Sequence, residues 1–371
     1  MKSIVFLQSG GYGARIRSNE MLQKMSSLGV PVNSVPLGNT FEFRKWAILN
    51  PGILLGQSNH PTLRPRLRFL VDSTISKLMR LRGDILAIHA ESSFMGYVAC
   101  IATCMLNVPY VLDLHGLWGE EYAGEHGIKS SKYADYLSEL EKIAILRADH
   151  VIVVSNRMKD HVISVYGASP KNVTVIPNGG FASKRRATFS PRTRLVCGGI
   201  FSYWERIDDF IDMALRPEGR EFSFLLLGGG PNASRILKKL RKKKPPNLTY
   251  LGHKPRDAAI EVFSRCQIGV APSTLDLVRQ VAWPIKVMDY MSCGLPVIAP
   301  RVGEWAEMIR GSGAGIVTDR SDPEEFCVAA KELSQEKSWI KASRCALETI
   351  ENCYLWDRLL EPLDSIYSSI M

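Results

Sequence analysis

The sequence predicts an α/β protein of two domains, each built around a parallel β-sheet. Its 371 residues exceed what one ordinary hydrophobic core supports, and they suit two domains of about 150–200 residues. Short apolar, β-branched runs alternate with longer amphipathic stretches, which is typical of parallel strands separated by helices. The alternation stops at residues 181–192 and then starts again, so the sequence indicates two sheets rather than one.

The predicted strands are near-continuous apolar runs, as expected where both faces of a sheet are covered by helices. Several of them end in Gly, Ser, Asn or His, at the carboxyl edge where open α/β sheets bind ligands. The first set comprises residues 3–8, 84–89, 109–115 and 150–155, and the second comprises residues 194–199, 222–229, 247–252, 268–273 and 295–300.

The domain boundary is placed by the interruption at residues 181–192. This stretch contains Ser, Arg, Lys and Pro without an apolar period, which is typical of an interdomain linker. We therefore expect an N-terminal domain at residues 1–183 and a C-terminal domain at residues 184–350. Residues 351–371 have the pattern of a terminal helix, which we expect to cross back to the N-terminal domain.

The composition excludes several classes of protein. Hydrophobic residues make up 46% of the chain and charged residues 23%, as in ordinary globular proteins. The eight cysteines form no C-x-x-C pair and the seven histidines are dispersed, so we expect reduced thiols, a cytoplasmic location and no metal site. No apolar stretch approaches the roughly 18 residues of a membrane span, and the short apolar run at the N-terminus suits a first strand better than a signal peptide.

The positive charge is concentrated in residues 1–82, which hold twelve Lys and Arg against three acids, a net of +9 of the +10 of the whole chain. Such a surface favours an anionic partner. Residues 64–82 combine apolar positions at helical spacing with flanking cations. They predict either an amphipathic helix on an anionic membrane, at the inner face of the cell membrane, or a helix packed on its own sheet with a solvated basic side. No nucleic-acid motif is present, so we expect no nucleic-acid partner.

One segment, residues 284–309, resembles the donor-site signature of the family-4, retaining glycosyltransferases of the GT-B fold. The matching positions are Pro284, Lys286, Asp289, Tyr290, Gly294, Pro296, Val297, Ile298 and Gly303. Three further stretches match the family in the right order, at residues 111–118, 148–155 and 173–180. The resemblance implies two facing Rossmann-like domains with an interdomain cleft. It also implies metal-independent transfer of a sugar, without a further cofactor, from a UDP- or GDP-linked donor to a glycan or lipid-linked hydroxyl.

The resemblance and the glycine-rich turns together indicate the candidate site residues. Asp289, which we expect at the start of a helix, would bind the ribose hydroxyls, and Lys286 would lie near the diphosphate. Arg15 and Arg17 would add positive charge beside the first glycine turn. The candidate catalytic residues are His115, Arg206 and Lys286; the donor-binding candidates are Gly10, Gly11, Gly13, Gly229, Gly230, Arg279, Pro284, Asp289, Tyr290, Gly303 and Glu304; the acceptor-side candidates are Arg15, Trp118, Ser155 and Arg157.

The sequence departs from the family at three positions. The family usually carries Arg and Lys after the first strand of its second domain, both on the diphosphate, where this chain has Ile200 and Glu205. The first acid of the family's pair, eight residues before Asp289, is Val281. Arg206 and Arg279 are the nearby cations that could substitute. Two alternatives therefore stay open beside the transferase, namely a non-catalytic nucleotide-binding scaffold and a nucleotide-sugar epimerase.

Overall fold

The computed structural model describes residues 3–8, 12–27, 31–36, 74–81, 83–127 and 132–371. The chain divides into two compact units. The first unit comprises Met1–Pro177 together with Leu360–Met371, and the second comprises Asn178–Leu359. Each unit contains one six-stranded sheet, and the strands of both sheets pair in parallel, so the α/β fold with two parallel sheets is confirmed.

The first unit has the strand order β2-β1-β3-β4-β5-β6. Because β2 and β3 lie on opposite sides of β1, the connections leave β1 in both directions, and the carboxyl ends of β1 and β3 form a switch point of the kind where such sheets bind ligands. The strands are β1 Ser3–Gln8, β2 Val32–Pro36, β3 Ile85–Glu91, β4 Tyr110–Leu114, β5 His150–Val153 and β6 Val173–Val175.

The central strands β1, β3, β4 and β5 are buried almost throughout, as expected where helices cover a parallel sheet with their apolar faces. The last helix of the chain belongs here, and its Leu363, Ile366 and Tyr367 are buried. The described helices are Tyr12–Ser27, residues 74–80, Ser93–Leu106, Trp118–Glu125, Lys132–Arg147, Asn156–Ser164 and Pro362–Ile370.

The second unit has the strand order β12-β11-β10-β7-β8-β9. Strands β7, β8 and β9 follow one another towards one side of the sheet. Strands β10, β11 and β12, which start next to β7, follow one another towards the other side, and this is the Rossmann order. The switch point therefore lies between the carboxyl ends of β7 and β10. The strands are β7 Arg194–Ile200, β8 Ser223–Gly229, β9 Leu248–Tyr250, β10 Ile268–Val270, β11 Val297–Pro300 and β12 Gly315–Thr318.

The second unit is held by a core of aromatic and aliphatic side chains from both the strands and their covering helices, including Phe201, Phe210, Phe224 and Phe326. Its helices are Ile207–Leu215, Ala233–Lys243, Arg256–Phe263, Leu277–Val281, Ile285–Ser292, Gly303–Ser312, Pro323–Leu333, Glu336–Cys353 and Trp356–Leu359. Short 3₁₀ turns occur at Pro170–Asn172 in the first unit, and at Tyr203–Glu205 and Pro217–Gly219 in the second.

The expected place of Asp289 at a helix start is wrong. The helix begins at Ile285 after the N-cap Pro284, so Asp289 is its fifth residue and lies beyond the first turn. Its carboxylate therefore gains little from the free N–H groups of that helix.

Within the described part of the chain, no helix is long and apolar enough to span a membrane.

Candidate functional site

At the carboxyl edge of the first sheet, a buried ion pair joins the helix after β1 to the strand β4. The guanidinium of Arg17 donates from Nε to Asp113 Oδ2 at 2.8 Å and from Nη2 to Oδ1 at 2.8 Å, and both side chains are buried. Burial alone opposes ionisation of Asp113, but the guanidinium holds the pKa of its carboxyl below the ordinary value. The positive charge that Arg17 was expected to add beside the first glycine turn is therefore paired with the carboxylate of Asp113.

His115 follows β4 directly and lies beside the acid that ends the neighbouring strand β3. Its Nε2 is 3.3 Å from Glu91 Oε1, and Glu91 is fully buried. A second histidine, His89 of β3, has its Nδ1 2.6 Å from the hydroxyl oxygen of Tyr367 on the last helix. Burial lowers the pKa of His89 to about 4, so this imidazole is neutral at physiological pH.

The loop that carries His115 is fastened by a third buried carboxylate, Glu141. The backbone N–H of Trp118 donates to Glu141 Oε2 at 2.8 Å, and the hydroxyls of Ser93 and Tyr166 donate at 2.5 and 2.8 Å. Burial raises the pKa of Glu141 to about 7 despite these three donors. The start of the helix Trp118–Glu125, just after His115, is thereby held in place.

The remaining candidates of the first unit are distributed around this edge. Gly10 and Gly11 lie outside the described residues, and Gly13 is the second residue of the helix Tyr12–Ser27. Arg15 and Arg157 are exposed. The buried hydroxyl of Ser155 accepts the N–H of Met158 at 3.0 Å and caps the helix Asn156–Ser164, so it is already used in the fold.

In the second unit, two cations and one carboxylate meet at the switch point between β7 and β10. Lys286 Nζ contacts Glu205 Oε2, and Arg279 Nη1 is 3.7 Å from Glu205 Oε1. Glu205 ends the turn that follows β7, whereas Arg279 lies on the short helix after β10. The three side chains are 10%, 6% and 9% exposed for Lys286, Arg279 and Glu205. This near-complete burial makes their charges much stronger interaction partners than they would be in water.

Arg279 is the most constrained member of this group. Its Nε donates to the hydroxyl of Ser273 at 2.8 Å, and its guanidinium lies over the Trp305 ring with 5.5 Å between the carbon Cζ and the ring centre. Its Nη2 is buried and has no hydrogen-bond partner among the described residues. A buried donor without an acceptor is unfavourable, so this nitrogen is suited to an anionic ligand.

Asp289, one turn along the helix from Lys286, is also buried. Its Oδ1 accepts from Arg256 Nη2 at 2.8 Å, and the guanidinium of Arg256 lies over the Phe181 ring at 5.0 Å. Burial raises the pKa of Asp289 despite the attraction of Arg256. Its second carboxylate oxygen has no hydrogen bond in the described structure and can accept one from a ligand hydroxyl.

Glycine is required at two positions of this edge, because neighbouring parts of the chain lie where a Cβ would stand. At Gly230, after β8, φ is 140° and a Cβ would lie 2.9 Å from a methyl of Ile200 and 3.0 Å from Phe201 N. At Gly303 φ is 67° and a Cβ would lie 2.8–2.9 Å from the carbonyl oxygens of Gln280 and Arg279. A side chain at either position would push the β7 edge or the Arg279 helix away. Gly229 has open space where a Cβ would stand.

Other candidates of the second unit are occupied elsewhere. Arg206 forms a two-bond ion pair with Asp209 at 2.8 and 2.9 Å rather than joining Lys286. Tyr290 lies in the core, where its hydroxyl accepts the N–H of Gly198 at 2.7 Å. Glu304 is in the first turn of the helix Gly303–Ser312. Val281 is buried and Ile200 is partly exposed. Because both side chains are apolar, neither position supplies a charge.

Sequence reasoning missed five polar residues of these two edges. They are Glu91, Asp113, Glu141, Arg256 and Ser273. A signal was available for Glu91 and Asp113, because each interrupts or ends an otherwise apolar strand. An ionisable residue in such a strand is buried only when it is paired. Within the described residues, no group of three or more His, Cys, Asp or Glu side chains could hold a metal ion.

Comparisons with known proteins agree with this architecture. The profile of Glycosyltransferase Family 4 matches residues 21–179, and that of Glycosyl transferases group 1 matches residues 192–336. D-inositol 3-phosphate glycosyltransferase of Acidothermus cellulolyticus is 23% identical over 316 residues, which are 79% of this chain and 69% of that protein.

Two solved structures with the same fold cover all of this chain. Sucrose-phosphate synthase from Thermosynechococcus elongatus aligns with a TM-score of 0.78 at 15% identity, over 99% of its own chain. Anabaena HepE in complex with UDP-glucose aligns with a TM-score of 0.73 at 16% identity, over its full length. The two profiles and the related enzyme together show that this chain is a glycosyltransferase, and its residues 21–179 match the profile of family 4.

Proposed function

We propose that the chain transfers a sugar from a nucleoside diphosphate sugar to a hydroxyl acceptor, with retention of the anomeric configuration. The observation that carries this proposal is the pair of buried cations, Lys286 and Arg279, at the switch point of the second sheet. Arg279 Nη2 has a hydrogen still to donate, and a diphosphate oxygen is the acceptor that best suits a buried guanidinium. UDP is the first nucleotide to test, because Anabaena HepE was solved with UDP-glucose.

Lys286 and Arg279 act on the leaving group in this proposal. As the bond between the sugar C1 and the diphosphate oxygen breaks, negative charge grows on that oxygen, and the two cations stabilise it. The acceptor oxygen attacks C1 from the same face, and its proton passes to the departing diphosphate oxygen. The protein contributes positioning and electrostatic stabilisation, so the reaction requires no metal and no further cofactor.

Asp289 binds the donor's ribose in this proposal. Its free carboxylate oxygen would accept hydrogen bonds from the ribose hydroxyls while Arg256 holds the other oxygen. The fixed orientation matters, because a carboxylate held by an ion pair loses little rotational freedom when a ligand binds. At Gly229, which ends β8, the space where a Cβ would stand is open, and we expect the nucleotide to approach the backbone there.

The acceptor belongs to the first unit in this proposal. Glu91 and His115 at the carboxyl edge of β3 and β4 are suited to bind sugar hydroxyls, with His115 contacting the transferred sugar or orienting the acceptor. The acceptor class is a glycan or a lipid-linked sugar. In A. cellulolyticus the related enzyme is named for an inositol phosphate, which fits an acceptor whose hydroxyl groups contact this edge.

A peripheral position on an anionic membrane remains part of the proposal. Most of residues 64–82 lie outside the described residues, but 74–81 are seen. Leu78 is fully buried, and Lys77 and Arg80 are exposed. The apolar side is therefore packed within the unit, and the cations are left to contact lipid headgroups. Flotation with anionic vesicles but not with neutral vesicles is the expected result.

The donor assignment is tested by thermal stabilisation with UDP, GDP, ADP and their glucose conjugates. One nucleotide is expected to raise the midpoint with the logarithm of its concentration, and Asp289→Ala is expected to reduce that rise. Glu348→Ala, an exposed acid of the same unit, is the matched control. Proton NMR of the product then reports the anomer: inversion would exclude the same-face mechanism, and no response to any nucleotide sugar would exclude the donor class.

A further inference from the structure

The carboxylate of Glu205 stands between the two cations that the donor needs. Its Oε2 contacts Lys286 Nζ, and its Oε1 is 3.7 Å from Arg279 Nη1. The backbone that carries this side chain is fixed, since the turn Tyr203–Glu205 is joined to the loop after β10 by the N–H of Thr274, which donates to Trp204 O at 3.0 Å. Glu205 therefore belongs to the site itself and is not a mobile surface acid.

The charges at this point do not balance. Lys286 and Arg279 carry two positive charges and Glu205 supplies one negative charge, while Arg279 Nη2 still lacks an acceptor. A diphosphate diester carries two negative charges, which two cations neutralise without the carboxylate. With Glu205 still in contact, its charge would repel the diphosphate across a poorly solvated site.

We propose that Glu205 is an internal competitor for the phosphate site: its carboxylate occupies Lys286 in the empty protein, and the donor's diphosphate must displace it. This inference rests on the proposed donor site and adds a role for a residue that the donor itself does not contact. Displacement needs only a rotation of the Glu205 side chain, because the carboxylate is terminal and the turn behind it is held by the backbone.

The competition has a consequence for turnover. A free nucleoside diphosphate carries one more negative charge than the sugar nucleotide, so the product is held more tightly than the donor by bare cations. When the product leaves, Glu205 returns to Lys286 and prevents two buried cations from being left without a partner, a state that is costly. Glu205 therefore weakens binding of both ligands and speeds release of the product.

The rival explanation is that Glu205 is only a structural counter-ion and that no phosphate ever contacts Lys286. Both explanations predict that Glu205→Gln lowers the stability of the empty protein. They differ in anion binding: competition predicts tighter binding of a phosphate group when the carboxylate is removed, whereas a structural counter-ion predicts no change.

The test uses inorganic pyrophosphate, which has neither base nor sugar, and measures its dissociation constant by titration calorimetry. In Glu205→Gln the constant is expected to fall about tenfold or more, the effect of removing one charged competitor for a charge-assisted hydrogen bond. Glu348→Gln removes the same charge from an exposed site of the same unit and is expected to bind as the parent does. Equal affinities in the parent and Glu205→Gln, or no binding to either, overturn the inference.

A second variant covers the chance that Glu205→Gln does not fold. Glu205→Gln combined with Lys286→Met removes both partners of the contact, leaves no bare lysine, and is expected to bind pyrophosphate at least about tenfold more weakly than Glu205→Gln. Where that single variant does not fold, Glu205→Asp, whose carboxylate reaches less far towards Lys286, is expected to bind pyrophosphate more tightly than the parent; equal affinity would overturn the inference. UDP-glucose separates the two proposals. If the parent binds it and the affinity is unchanged in Glu205→Gln, this inference fails and the donor site stands. If pyrophosphate binds more tightly to the variant but no nucleotide sugar binds to either protein, Glu205 competes with a phosphate group at this site and the donor assignment fails.

Discussion

The carboxyl edges of the two sheets have opposite charge balances. In the first unit, three buried carboxylates, Glu91, Asp113 and Glu141, are grouped with one buried guanidinium, that of Arg17. Among the described residues of the second edge, the three cations Lys286, Arg279 and Arg256 pair with two acids, Glu205 and Asp289. The fold is similar at both edges, so the difference lies in the side chains that follow corresponding strands.

This difference separates two kinds of ligand. Buried carboxylates accept hydrogen bonds from hydroxyl groups and repel phosphates, whereas buried cations attract phosphates. At the first edge, Arg17 binds Asp113 and three donors bind Glu141, whereas the ring nitrogens Nε2 of His89 and His115 have no hydrogen bond within the described structure. The second edge leaves Arg279 Nη2 unfilled. The first is thus organised for its fold and for sugar hydroxyls, and the second is organised for an anion.

The largest expected effect is on the first edge. Arg17→Met leaves Asp113 as a buried carboxylate without its cation, and we expect the free energy of unfolding to fall by about 3–5 kcal/mol. Denaturant unfolding of the purified protein measures it. Arg15→Met, on the same helix and exposed, is the matched control and should cost less than about 0.5 kcal/mol. Equal losses would mean that the Arg17 pair does not organise this edge.

The next effect is a pH dependence at His89. Burial lowers its pKa from 6.5 to about 4, so the folded state keeps the imidazole neutral while the unfolded chain protonates it below pH 6.5. This contribution to stability is complete above pH 6.5 and is lost as the pH falls to about 4, a change of about 3 kcal/mol. We expect the stability advantage of the parent over His89→Asn to shrink by that amount between pH 7.5 and 4, as measured by urea unfolding.

Glu141 provides the opposite slope as an internal check. Its pKa is raised from 4.5 to about 7, so its burial costs stability above pH 7, and that cost disappears as the pH falls to 4.5. As the pH falls, the free energy of unfolding of the parent should therefore rise relative to that of Glu141→Gln, whereas it should fall relative to that of His89→Asn. Slopes of the same sign in both comparisons would contradict the environments described for these two groups.

A smaller effect is expected at the second edge. Asp289→Asn keeps the shape of the side chain but removes the charge that binds Arg256 and the proposed ribose hydroxyls. We expect UDP to bind about tenfold more weakly, as judged by titration calorimetry, whereas pyrophosphate, which has no ribose, should bind unchanged. Equal weakening of both ligands would place Asp289 at the phosphates instead.

The smallest effect is expected for Arg206. Its guanidinium is about half exposed and is paired with Asp209, so Arg206→Met should cost no more than about 1 kcal/mol of stability. Donor affinity should change less than about threefold, because the side chain points to a different partner from Lys286 and Arg279. A loss of turnover comparable with that of Lys286→Met would show that Arg206 moves into the site.

The fold could be predicted from the sequence because its signal is local: each strand is a short apolar run, and each run is followed by a helix. The motif around Lys286 and Asp289 was equally visible. The pairings were not, since Arg17 and Asp113 are 96 residues apart and Lys286 and Glu205 are 81 apart. Only the strand order brings such residues together. The sequence showed that Glu205 replaces a cation, but not that it contacts Lys286.

The most direct test of the whole account is the dissociation constant of UDP for the parent and for Lys286→Met, measured by titration calorimetry at one salt concentration. The account predicts that the parent binds UDP and that the variant binds it at least about tenfold more weakly, since a charge-assisted contact is worth about 1.5–3 kcal/mol. Lys239→Met is the control, because Lys239 is paired with Asp208 and Asp212, and this variant should bind UDP as tightly as the parent. Equal UDP affinity in the parent and Lys286→Met would contradict the claim that this edge binds the diphosphate.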